Sequence, residues 1–508
     1  MAFVRSLLCS TALAVALLVG CGGSGSGSAA TATAVTGGTS GPPAPAHQAR
    51  HSGDWTRFGY DAARTNVAPR GISASTVARL SEQRIQLPGT VDSSPIYFSR
   101  VRVRGQSRAL LVMTTTYGKT LGMDAGSGAI LWTFTPSSYS RLAGSPQITT
   151  ATPVADPSDR YVYAASPDGL IHKLRVSNGS QVTSGHWPVS ITRNPSHEKI
   201  ASALNLDGRW VLVTTGGYIG DAPPYQGKVV AIDRSSGRVA RVFNSLCSNH
   251  RQIIDPSTCN AQDSAIWARA GAVVDPVNHR LYATSSNGPW NGSTNWGDTV
   301  LELSPGVGRL LRHWTPANQQ HLAATDTDLG STAPALLPSP NGGKATRFLL
   351  QGGKEGFLYL LNIRSSLFGV TGAAGPRLGG EAQKLPVVGN TDVFTAPAVL
   401  HRRGLTEAFV ATGGGTAAYT LSGGRLREAW HNSTAGTSPV LAGGLLWVYD
   451  PGGGLNVYRP SDGRLIRSLP APSGHWNSPI IAGGRVYLPS GDSNNHSTSG
   501  VLSIYRAR

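Results

Sequence analysis

This sequence has little lysine, little methionine and few charges of either sign, and it offers almost no thiol chemistry. Four cysteines occur in 508 residues: Cys9, Cys21, Cys247 and Cys259. None stands in a CxxC or CxxCH arrangement, which excludes the common zinc, dithiol and covalently bound haem motifs. His250 alone, between Cys247 and Cys259, supplies too few ligands for a metal. Charged residues make up 14% of the chain, and no paired-carboxylate motif of a sugar hydrolase stands out. The net charge of +17 is almost all arginine. Without a basic cluster or a recognition helix it does not describe a nucleic-acid partner; it suits a genomic bias toward arginine codons, together with attraction to anionic envelope polymers. No segment after the first twenty residues is apolar for long enough to span a bilayer.

What is there begins with an export signal. Arg5 precedes an apolar run ending Leu18-Val19-Gly20-Cys21. The run is too short for a membrane span and fits a signal peptide over residues 1–20. Its last four residues resemble a bacterial lipobox, which makes Cys21 the expected lipidation site. Residues 21–53 are mostly Gly, Ser, Ala, Thr and Pro. Such a stretch buries too little surface to offset its ordering entropy and reads as a flexible tether. The expected product is an exported, membrane-anchored lipoprotein facing the periplasm or the cell exterior. In an oxidising compartment the two remaining thiols, Cys247 and Cys259, are expected to form a disulfide.

Residues 54–508 carry a repeat. A small residue, then a small residue or Pro, then apolar residues recur eight times: Ser94-Pro95-Ile96, Thr152-Pro153-Val154, Ser202-Ala203-Leu204, Gly271-Ala272-Val273, Ala333-Pro334-Ala335, Ala396-Pro397-Ala398, Ser438-Pro439-Val440 and Ser478-Pro479-Ile480. The spacing, from about forty to nearly seventy residues, is that of propeller blades with loop insertions. Within a blade the order is legible: SSPIYF, ALLVMTTT, TLGMDAGSG and ILWTFT in the first. Alternating apolar residues and Gly-bearing turns mark four antiparallel strands. Trp132, Trp314 and Trp430 close blades at equivalent places and are expected to pack between them. Asp124 and Asp233 are expected to cap turns. The last blade shows only three strands, and LSEQRIQL (Leu80–Leu87) stands unpaired before the first. Ring closure through that strand removes an exposed edge. The expected fold is all-β: an eight-bladed β-propeller of four-stranded antiparallel blades, closed by an N-terminal strand.

The segments AIDRSSG, MDAGSGAILWTF and WTRFGYDAARTNVAP resemble propeller repeats of the pyrroloquinoline-quinone (PQQ) type over roughly residues 54–508. Residues 267–362 carry polar insertions in two blades and resemble quinoprotein alcohol dehydrogenases, with DTDLGS similar to the polyvinyl-alcohol-dehydrogenase type. The resemblance implies PQQ and Ca²⁺ as cofactors, a small alcohol or polyol as substrate and a separate electron acceptor. It implies Trp267 as the floor beneath PQQ. In Ser286-Asn287-Gly288-Pro289-Trp290-Asn291 it implies Asn287 as a Ca²⁺ ligand. In Asp326-Thr327-Asp328-Leu329-Gly330 it implies Asp326 as catalytic base and metal ligand, with Asp328 as second choice for the base. Lys354, in Gly-Gly-Lys-Glu-Gly, would hold the quinone oxygens. These residues must then converge at one end of the central channel, with Asn287 and Asp326 turning side-chain oxygens toward a shared cation.

Two departures stand beside the resemblance. The family's adjacent Cys-Cys pair is absent. Its acidic ligand from the third blade is also missing; Tyr218 lies near that place, and Asp221 substitutes only with a different loop path. The alternative class is a cofactor-free binding propeller. B-type outer-membrane assembly lipoproteins are similar in repeat and anchor and bind envelope proteins through loops on one face. In that case Asn287 and Asp326 hold turns and Lys354 is a surface charge or an ion-pair partner.

Overall fold

A computed structural model describes residues 53–369, 377–402 and 404–507. The expected signal peptide, the lipidation site Cys21 and all of the tether but Gly53 lie outside the described residues.

Eight sheets follow one another along the chain, antiparallel throughout except where Val67–Ala68 pairs parallel at the inner edge of the seventh. Their first strands begin at Ile96, Val154, Asn205, Val273, Ala335, Ala398, Val440 and Ile480, each at or just after a repeat start. The first blade runs through Ile96–Val103, Gln106–Thr114, Thr120–Asp124 and Ile130–Phe134. Second strands read as unbroken apolar runs because each blade is covered on both faces by its neighbours: Leu110, Leu111, Val112 and Met113 are all fully buried. Outer strands face solvent, and Ile130, Leu465 and Ile466 are exposed there.

The ring closes as the orphan strand requires. Leu80–Leu87 pairs antiparallel with Gly500–Ala507 in the last blade, Glu82 opposite Tyr505 and Leu87 opposite Gly500. Trp132 reaches the next blade and donates from Nε1 to the Val176 carbonyl at 2.9 Å. Trp430 does the same to Pro460 at 2.7 Å. Trp314 packs against Tyr359 with ring centroids 5.0 Å apart. Asp124 Oδ1 accepts from the amides of Gly126 and Ser127, and Asp233 Oδ1 from those of Ser235 and Ser236.

Two features go beyond the sequence reading. Phe368–Gly369 adds a fifth strand to the fourth blade. Residues 55–68 thread along the innermost strands: carbonyls of Trp55, Thr56, Ala62, Thr65 and Asn66 accept from Tyr97, Ala155, Val274, Val399 and Leu441, in five different blades. Buried Arg64 donates to the carbonyls of Phe58, Ala203, Leu204 and Ala270. This segment therefore lies on the propeller axis. No helix of the described residues is long and apolar enough to cross a membrane.

Candidate functional site

In a four-stranded antiparallel blade, the turn between strands two and three opens on the same side of the ring as the link to the next blade. Both kinds of loop gather there around a cavity of about 340 Å³, within the lower range of small-ligand sites. Asp221, Asn287 and Lys354 come from turns between second and third strands of the third, fourth and fifth blades. Thr150, Lys199, Trp267, Asp326, Phe394 and Trp476 come from links between blades.

Trp267, Asn287, Asp326, Asp328 and Lys354 thus share one cavity. Asp328 joins three loops. Its Oδ1 accepts from the Asn287 amide at 3.0 Å, its Oδ2 lies 2.6 Å from Lys354 Nζ, and its carbonyl accepts from the Lys354 amide at 2.9 Å. Asp326 is the accessible carboxylate of the two, its side chain 58% exposed against 6% for Asp328. Lys354 Nζ lies 3.4 Å from Asp326 Oδ2 and 5.9 Å from the centre of the Trp267 ring. Asn287 differs from expectation in one respect. It turns its amide nitrogen, not its oxygen, to Asp326 Oδ1 at 3.0 Å, because a carboxylate oxygen accepts and only the amide N–H can donate to it.

The charges are crowded. Burial raises the pKa of Asp328 despite the pull of Lys354. Burial raises buried Asp298 well above the usual carboxylate range, with Asp328 adding to it. Asp221 does reach the cavity. Tyr225 donates to its Oδ1 at 2.8 Å, and burial raises it, with further repulsion from Asp326. Asp263 is raised by burial and then by Asp221. Burial alone would lower Lys354, but Asp328 and Asp326 overcome it and its pKa is raised.

The expected Cys247–Cys259 disulfide is formed, with Cα atoms 6.1 Å apart. Its loop braces the Asn287 turn: the Cys247 amide donates to Asn295 Oδ1 at 3.0 Å and Trp296 Nε1 to Ser248 Oγ at 2.9 Å.

Sequence reasoning missed a second group. Trp267, Phe394 and Trp476 follow one another with centroids 6.0 and 4.7 Å apart. Arg269 and Lys199 line the same cavity. Buried Asp92 holds Arg269 at 3.1 Å and His475 Nδ1 at 2.8 Å, and accepts from Ser493 Oγ at 2.7 Å. A signal was present: Thr150, Arg269, Phe394 and Trp476 each stand two residues before a repeat start.

Fold and cavity define a closed eight-bladed propeller with a polar, aromatic-lined site on one face. No protein-family profile matches the chain. In sequence it is similar to the dehydrogenase subunit of the quinone-dependent alcohol dehydrogenase of Acetobacter aceti, 23% identical over 363 residues, 63% of this chain and 46% of that one. The corresponding subunit of Gluconobacter oxydans (strain 621H) is 23% identical over 365 residues, again 63% of this chain and 44% of the relative. The chain therefore spans less than half the length of these relatives. In fold it is similar to quinohemoprotein alcohol dehydrogenase from Comamonas testosteroni (TM-score 0.64, 15% identity, 91% of this chain and 81% of that one). It is likewise similar to a europium-containing methanol dehydrogenase (TM-score 0.63, 15% identity, 90% and 98%).

Proposed function

We propose that this cavity binds PQQ with a hard cation, Ca²⁺ in the first instance, and that the protein oxidises a small alcohol or polyol. The observation that carries the reading is the acidic cluster around one ammonium. Asp221, Asp326 and Asp328 line the cavity with Asn287, Asp263 and Asp298 stand behind them, and Lys354 is the cation acting on Asp221, Asp298 and Asp328. Crowded carboxylates and an amide are the oxygen donor set that a hard cation takes. Asn287, Asp326 and Asp221 would hold it, the Asn287 amide turning over to offer its oxygen. Asp221, on the third blade, fills the place of the missing acidic ligand. The ring of Trp267 offers a flat wall beside Lys354.

When bound, PQQ supplies a two-electron acceptor for the hydride that leaves the alcohol carbon. The chain supplies the rest. Asp326 is the exposed carboxylate, and its Oδ2 takes the hydroxyl proton as the carbonyl product forms. Lys354 Nζ stands 3.4 Å from that oxygen. Trp267, Phe394 and Trp476 limit water at the cavity wall. Electrons then pass to a separate acceptor, since no haem-attachment motif exists in the sequence. The N-terminal features of the sequence support export of the domain and a lipid anchor at Cys21.

Reconstitution of purified protein with PQQ and Ca²⁺, followed by dye-linked oxidation of short alcohols and polyols, tests this. Turnover that needs both additions and is lost in Asp326→Asn is expected; turnover without PQQ, or none with any alcohol, contradicts it.

A further inference from the structure

We propose that Lys199 and Arg269 form an anion-binding end of this cavity and make it selective for a planar ligand that carries carboxylates, an inference resting on the reading that PQQ lies here. Lys199 belongs to the link between the second and third blades. Its backbone is fixed by two hydrogen bonds with Gly216, of 2.7 and 2.9 Å. Its side chain lines the cavity. Lys199 is half-buried, and among the described residues its ammonium has no hydrogen-bond or ion-pair partner, which leaves a partly desolvated charge uncompensated.

The neighbouring carboxylates explain why. Asp92 is committed to Arg269, His475 and Ser493, and Asp492 caps the Asn494 amide at 2.9 Å. Arg269 also donates to the Asp92 carbonyl at 2.9 Å, so its guanidinium is locked against this wall. The charges that act on Lys199 are Arg269, Asp92 and Asp492. The acidic cluster at Asn287 comes instead from turns of the third, fourth and fifth blades and from the link between the last two. Between the two groups stand the rings of Trp267, Phe394 and Trp476. Such a cavity takes a flat molecule with metal-binding oxygens at one end and a carboxylate at the other. An uncharged quinone leaves Lys199 without a counter-charge.

Lys199 also has a titration of its own. Burial, and then Arg269, bring its pKa down to about 8. Burial raises Tyr218 above the usual phenol range, and Lys354 is raised by its carboxylates. Lys199 is therefore the cavity group expected to lose its charge between pH 8 and 10.

Tryptophan-fluorescence titration tests this, with PQQ and its uncharged trimethyl ester as probes at fixed Ca²⁺. The proteins are the full chain, Lys199→Met and Lys199→Arg, each checked by a melting curve. In Lys199→Met, PQQ should bind about tenfold or more weakly, while the ester binds as it does to the unaltered protein. Lys199→Arg should restore PQQ binding and keep it at pH 10, where the unaltered protein weakens. PQQ binding to Lys199→Met at full strength overturns the inference, as does an equal loss for acid and ester. Failure of the unaltered protein to bind PQQ at all overturns the cofactor reading itself, and this inference with it.

Discussion

Lys354 reaches from its turn in the fifth blade to Asp328, in the link before that blade, and sets its ammonium 2.6 Å from a nearly buried carboxylate. The contact ties two loops of the site together whether or not a ligand is present. Lys354→Met leaves Asp328 buried and unpaired, a loss of about 2 kcal/mol once partial exposure of the lysine is allowed for. The urea midpoint should fall accordingly, and Asp328→Asn added to Lys354→Met should recover part of the loss. A double variant no more stable than the single one contradicts this.

The carboxylate cluster gives the protein a definite response to pH and cations. Burial raises the folded-state pKa of Asp298, Asp328, Asp221 and Asp263. Each keeps its proton to a higher pH folded than unfolded, so stability is lost as pH rises through the folded value. Asp124, Asp156 and Asp233 are lowered and act in the opposite sense, but only below the usual carboxylate range. Ca²⁺ should therefore raise the Tm more at pH 7, where fewer of the cluster's protons remain to compete with it, than at pH 5. A shift that is absent, or equal at both pH values, runs against the account.

The disulfide should matter both to stability and to the site. Cys247→Ser with Cys259→Ser frees a twelve-residue separation, worth about 3 kcal/mol. Because the loop braces the turn carrying Asn287, cation affinity should also fall by several-fold. Differential scanning calorimetry and terbium luminescence measure the two effects; unchanged cation affinity would detach the brace from the site.

Gly122 lies under the Trp132 ring, and a Cβ there would overlap the indole. The tryptophan also makes the hydrogen bond to the second blade. Gly122→Val should cost about 3 kcal/mol through overpacking at the junction of two blades. A urea midpoint equal to that of the unaltered protein would show that Trp132 does not set blade spacing.

Much of the fold was legible because a blade buries both its faces. That demand writes the same small-residue-then-apolar start eight times, six of them with Pro, and leaves one strand, Leu80–Leu87, visibly without partners. The segment on the axis was not legible: Arg64 and Asn66 hold it through distant carbonyls, which leave no periodic trace. At the site, Trp267, Asn287, Asp326 and Lys354 stood out through resemblance, and the structure brings them to one cavity. Asp221 depended on a loop path that the sequence did not specify. Lys199 and Arg269 went unread because their surroundings, Asp92 and His475, lie far away in the chain.

The central claim is that one cavity holds PQQ and a cation together. Equilibrium dialysis against PQQ, with and without Ca²⁺ and read by quinone absorbance, tests it most directly. The account predicts close to one PQQ retained per chain with Ca²⁺, markedly less with chelator, and loss of the Ca²⁺ effect in Asn287→Ala. No retained PQQ in either condition, or retention indifferent to Ca²⁺, would contradict it.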